Sequence, residues 1–119
     1  MSTLHTNTVE TSSGGAVTLT KQAALKCFFK TTGTYTSVAA GALNVSSVSD
    51  IGTGDVDVLF TNAFAATTEV VVSGTVETNG GKMCSVTGIA TTQISLVCHS
   101  HDGSDVDNEM HGMVTGDLA

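Results

Sequence analysis

Beyond residue 23 the chain alternates hydrophobic and polar positions with a period of two, the spacing that puts successive side chains on opposite faces of a strand. In residues 24–31, Leu25, Cys27 and Phe29 share one face against Lys26, Phe28 and Lys30. Residues 43–49 and 55–61 alternate through Leu43 and Val45, then Val56, Val58 and Phe60. Between them, Asp50, Gly52, Gly54 and Asp55 supply a turn, because Gly accepts positive φ and Asp bonds its own backbone. Two alternating arms around such a turn predict a β-hairpin. Residues 69–77 form a further strand through Val70, Val72, Gly74 and Val76, with Gly74 a bulge or a point of close approach. A turn at Asn79-Gly80-Gly81 leads into a strand at 82–87. Residues 93–99 alternate Ile94, Leu96 and Cys98, and 109–115 close the chain after a polar loop. Residues 34–38 are expected to be a short partner strand, and 17–25 hold one helical turn at most. Roughly eight short strands at near-regular spacing predict an all-β fold, an antiparallel β-sandwich. It spans 23–119, preceded at 1–22 by an extended amino-terminal arm, a candidate docking element.

Composition narrows the picture. The chain of 119 residues suits one domain. Aromatic residues are 4% and Trp is absent, so the core must come mostly from Val, Leu, Ile and Ala. Only 13% of residues are charged, against roughly 25% in ordinary domains. A surface of hydroxyls and amides is covered by a neighbour at little cost in ordering long charged side chains, which points towards assembly. The net charge is −7, with four Lys and no Arg. Binding nucleic acid or an anionic membrane requires basic side chains against phosphates, so both partners are excluded as expectations. No stretch is apolar for long enough to insert in a bilayer. A basic segment followed by an apolar one is missing at the amino terminus, so no secretory signal is expected and synthesis is placed in the cytoplasm. Cys27, Cys84 and Cys98 fall in predicted strands without a CxxC pair and read as buried, reduced thiols.

The hairpin carries a resemblance as well. Asn44-Val45-Ser46-Ser47, Asp50, Gly52-Thr53-Gly54-Asp55, Val58 and Phe60-Thr61 resemble a run found in virion proteins of tailed bacteriophages, especially phages of marine bacteria. It occurs there in tail-fibre and other surface components. The arm, with Met1-Ser2-Thr3-Leu4 and Gly14 to Lys21, and the ending Gly116-Asp117-Leu118-Ala119, are similar to the termini of short members. Two departures stand out. Relatives usually carry a Trp-bearing strand where Lys26-Cys27-Phe28-Phe29 stands, and a Pro-Asp-x-x-Tyr stretch where Ala65 to Glu69 stands. The resemblance implies a virion surface location after synthesis in the host cytoplasm. It also implies a homotrimer contacting the major capsid protein or tail and fibre proteins, with a host surface glycan or protein as a further partner.

Chemical side chains concentrate in residues 98–111. His99 and His101 are two apart and would share a face if the strand continued, and two imidazoles on one face can share a metal. His99-Ser100-His101 resembles the His-x-His pairs that phage fibres use around a metal on a threefold axis, without the Gly two residues earlier. Asp102, Asp105 and Asp107 could serve Ca²⁺, although the spacing is not that of an EF-hand. The plain alternative is a solvated acidic loop at the tip of the sandwich, available for adhesive contacts. On that alternative His99, His101, Asp102, Asp105 and Asp107 form a binding tip, and no cofactor is expected. No catalytic set emerges: no G-x-S-x-G elbow is present, and Asp55 and Asp57 on one strand face are explained as well by a solvent face.

The expectation is a non-enzymatic, oligomeric bacteriophage structural protein on the particle surface. A capsid-decoration or head-fibre role is preferred to a tail-fibre tip binding the host receptor, because 119 residues leave no room for an adaptor and a shaft. A small metal-binding β-module is the reading of a different class.

Overall fold

The computed structural model describes residues 25–77 and 80–117. The arm at 1–22, the helical turn expected before Leu25, and Asn79 lie outside them. The described chain forms β1 (Leu25–Lys30), β2 (Val45–Gly52), β3 (Asp55–Phe60), β4 (Val71–Val76), β5 (Met83–Ile89), β6 (Gln93–His99) and β7 (Met110–Thr115). Every pairing is antiparallel. A three-stranded sheet runs β1-β7-β4 and a four-stranded sheet runs β2-β3-β6-β5. Their inner faces meet in one cluster: Cys27, Phe29, Met110 and Val114 from the first, and Val56, Val58, Ile94, Leu96 and Cys98 from the second. This is a β-sandwich, and the period-two pattern places these residues inside.

Several details depart from the sequence expectation, each for a local reason. Residues 34–38 do not form a strand. Tyr35 holds φ 52 and closes a turn, its N–H donating to the Thr32 carbonyl and the Thr32 N–H to the Ser37 carbonyl. Positive φ ends extension there and sends the Tyr35 ring into the core, 1% exposed. Only Val38 still bridges back, to Thr31. β2 begins at Val45 rather than 43 because Asn44 holds φ 57. β4 begins at Val71 because Thr67–Glu69 form a 3₁₀ turn. Of the two possibilities for Gly74, the register against Gly112 is regular, so it is a point of close approach. A Cβ there would lie 2.7 Å from Cys84 Sγ on the facing sheet.

The first strand packs without a Trp. The Phe29 ring lies over Gly112 on β7, where an added Cβ would fall 2.2 Å from the ring. After the hairpin, Phe64 packs edge-on to Phe60 with centroids 4.9 Å apart and covers Gly116. The outer edge of β1 is covered by the following loop. Phe28 and Leu43 exchange backbone hydrogen bonds, and the Ala39 N–H donates to the Lys30 carbonyl. Covering an edge in this way removes a template for unwanted pairing.

Candidate functional site

Three places on the described surface gather chemistry: the sandwich tip, the far end of the three-stranded sheet, and that sheet's outer face.

At the tip the structure joins two features that are far apart in sequence. The hairpin turn between β2 and β3 is Thr53-Gly54, and Gly54 is buried with φ +75. Its N–H donates to Asp107 Oδ1 (2.6 Å), and its carbonyl accepts from the Cys98 N–H (2.8 Å). The Val106 N–H then donates to the Cys98 carbonyl. The 98–107 loop is therefore pinned against the hairpin turn, and a Cβ at Gly54 would come within 2.7 Å of both Cys98 O and Val106 N. Asp50 and Gly52 stay exposed on β2, and Asp55 opens β3. Farther along the hairpin, Asn44 and Asn62 are clamped. Asn44 Oδ1 accepts the Asn62 N–H (2.7 Å) and its Nδ2 donates to the Asn62 carbonyl (3.0 Å). Ser46 Oγ donates to the Leu59 carbonyl at 3.2 Å. Asn44 and Ser46, two of the residues that carry the resemblance, thus tie the two arms of the hairpin together.

The loop residues are tied inwards as well. β6 ends at His99, and a turn closes immediately, with the Gly103 N–H donating to the Ser100 carbonyl and the Ser100 N–H to the Ser104 carbonyl. His101 sits in that turn, over Gly81, so the strand continuation that would align it with His99 is absent. Asp105 Oδ1 lies 2.7 Å from His99 Nδ1, yet out of line for a hydrogen bond, which leaves that nitrogen buried without a donor–acceptor partner. Asp102 accepts from the Ser100 and Ser104 hydroxyls and from the Ser104 N–H. These bonds, Ser100 foremost, lower its pKa to about 2. Asp107 is spent on Gly54. On the outer face of the four-stranded sheet, Asp57 accepts from Gln93 Nε2 (2.8 Å) and Ser95 Oγ (2.5 Å) on the adjacent strand.

The second place was not read from the sequence. Lys30 at the end of β1, Glu77 just after β4, and Glu109 and His111 around β7 converge. Lys30 Nζ is paired with Glu77 and lies 2.9 Å from Glu109 Oε2, while His111 Nε2 lies 3.1 Å from Glu77 Oε2. One ligand atom from each of Glu77, Glu109 and His111 falls within 4.8 Å of the others. The Lys30 ammonium satisfies both carboxylates. Its hydrogen bond lowers the Glu77 pKa, and Glu77 and then Glu109 raise that of Lys30. A cation would have to displace that ammonium. The residues lie dozens of positions apart in sequence, and the only signal was that Lys30 and Glu77 occupy outward positions at strand ends.

The third place is apolar. On the outer face of the three-stranded sheet a groove of about 450 Å³ lies between Phe28, Met113 and the Ala39–Ala42 loop, with Lys30 and His111 at one end and Leu25 at the other. Phe28 is 40% exposed and Met113 54%. Val71, on the same outward register of β4, is 66% exposed. Among the described residues no helix is long and apolar enough to cross a membrane. Comparison with known protein families, curated proteins and solved structures found no match.

Proposed function

We propose that this chain is a non-catalytic structural protein of a bacteriophage particle, displayed on its surface and acting as a homotrimer. The resemblance carried by Asn44–Ser47 and Gly52–Asp55 supports the phage assignment, and within it Asn44 clamps the hairpin while Gly54 joins the turn to the 98–107 loop. The observation that carries the mode of action is the exposed apolar outer face of the β1-β7-β4 sheet. Contiguous exposed apolar surface marks a contact with another protein, and a second copy of the chain is the partner that a homotrimer supplies.

A tip whose carboxylates are turned to intramolecular partners favours decoration of the capsid shell over receptor binding. At the tip Asp102 and Asp107 already have intramolecular partners. Elsewhere on the surface, Asp57 is engaged by Gln93 and Ser95, and Glu77 and Glu109 by Lys30.

Copy number per purified virion, measured by quantitative mass spectrometry against the major capsid protein, tests the assignment. Hundreds of copies are expected for decoration. A few to a few tens would place the chain on fibres and make host attachment its role. Absence from particles would overturn the phage reading.

A further inference from the structure

Cys84 on β5 and Cys98 on β6 are directly opposite each other in the antiparallel ladder. Their relation follows from where the Cys98 backbone points. Its N–H donates to the Gly54 carbonyl and its carbonyl accepts from the Val106 N–H, both on the side away from β5. In an antiparallel ladder the N–H and C=O of one residue point the same way. Cys98 therefore faces Cys84 as a non-hydrogen-bonded pair, the closer of the two kinds, with Cα atoms about 4.5 Å apart. That separation lies within the roughly 4.4–6.8 Å that a disulfide spans, at its short end. Opposite residues share a face, and both side chains point inwards: Cys98 is fully buried, and Cys84 Sγ lies 3.6 Å from Met110 Sδ. Cys27 has no such partner, since it sits in the other sheet opposite Val114.

We infer that Cys84 and Cys98 form a redox-modification site, a cross-strand dithiol that closes to a disulfide when the folded protein meets a small-molecule disulfide such as oxidised glutathione. β5 is an edge of its sheet and Cys84 is only half-buried, so the encounter occurs there. The Cys84 thiolate attacks one sulfur of the small disulfide, forming a mixed disulfide and expelling one small thiolate, which takes up the proton Cys84 lost. Cys98, deprotonated in turn, attacks the Cys84 sulfur and expels the second small thiol. Two protein thiols are oxidised and one disulfide is reduced to two thiols. Burial raises the Cys84 pKa to about 11 and raises that of Cys98, so little thiolate exists at neutral pH and closure is slow there, quickening as pH rises. The inference rests on strand register alone and is independent of the phage reading. In a reducing cytoplasm the pair stays open; outside the cell it closes.

The test is to incubate the native full chain with oxidised glutathione at pH 8.5, then denature it, cap free thiols with N-ethylmaleimide and read the intact mass. The three free thiols are expected to fall to one, the remaining one at Cys27, with all returning after dithiothreitol. Cys27→Ser should fall from two to none, whereas Cys84→Ser should close no intramolecular bond. Closure should be faster at pH 9.5 than at 7.5. Retention of all thiols by the folded protein, under conditions that oxidise the urea-unfolded chain, would overturn the inference. So would a stable glutathione adduct at Cys84 or a bond that uses Cys27.

Discussion

Asn44 holds φ 57, a conformation that costs most side chains about 1–2 kcal/mol, and its side chain clamps Asn62 through three hydrogen bonds. Asn44→Ala puts a side chain less tolerant of positive φ at this position and loses all three bonds, so a destabilisation of about 2–3 kcal/mol is expected in urea denaturation. Asn44→Gly relieves the backbone cost and should lose less. Gly112 illustrates the opposite constraint, room rather than conformation. An added methyl meets the Phe29 ring at 2.2 Å, and Gly112→Ala should cost about 2–3 kcal/mol by overpacking. Combining it with Phe29→Leu should recover part of that loss; additive costs would contradict the contact. Asp102 gives a pH signature. Its folded pKa of about 2 lies below the unfolded value, so its contribution is present above about pH 3.9 and is lost as pH falls towards 2. A carboxyl NMR titration should find its midpoint near 2, moving up in Ser100→Ala.

Between elements, the hairpin turn and the 98–107 loop act as one unit because Gly54 is buried between them. Gly54→Ala combines a strained φ of +75 with contacts of 2.7 Å to two backbone atoms, and about 2–4 kcal/mol should be lost, with faster amide exchange at Val106. At the other end, strand register brings Lys30, Thr75 and His111 side by side, with Glu77 and Glu109 just beyond. Lys30 is the ammonium that keeps this group satisfied. In the wild-type chain, EDTA and Zn²⁺ should leave Tm unchanged. In Lys30→Met, Glu77, Glu109 and His111 are left facing one another, and Zn²⁺ should raise Tm in proportion to its logarithmic concentration. A Zn²⁺ response in the wild type would show that the ammonium does not block the cluster. The ion pairs set a pH window as well. Glu77, with its pKa lowered, loses its contribution as pH falls through that folded value; Lys30, with its pKa raised, loses its own only as pH climbs above the ordinary lysine range.

For the whole molecule, the outer face of β1-β7-β4 is the surface that an assembly would cover. Met113→Glu places a charge in the middle of that face without touching the core, because Met113 points outwards and is 54% exposed. Light scattering should show a trimer for the wild type and a monomer for Met113→Glu, with the unfolding midpoint of the monomer core retained. A wild-type chain that stays monomeric at high concentration would remove the homotrimer and, with it, the mode of action proposed for the apolar face.

The sequence by itself determined the inward faces of the strands, though not the turn at residues 34–38. Val56, Val58, Ile94, Leu96 and Cys98 recur at every second position, and the period of two sets them on one face of each strand although apolar Leu59 and Val97 stand at alternate positions. The predicted strand at 93–99 coincides with β6 for the same reason. It also announced the hairpin, since a glycine-bearing turn between alternating arms is a local signal. Tertiary structure decided the rest. Whether Tyr35 continues a strand or turns into the core depends on a cavity that other elements make, and on an Asn108 N–H that reaches its hydroxyl at 3.2 Å. The Lys30–Glu77–Glu109–His111 group and the Cys84–Cys98 pair depend on which strands are neighbours and in what register. Periodicity fixes the face of each side chain, but pairing order belongs to contacts between distant residues, and no local pattern encodes it.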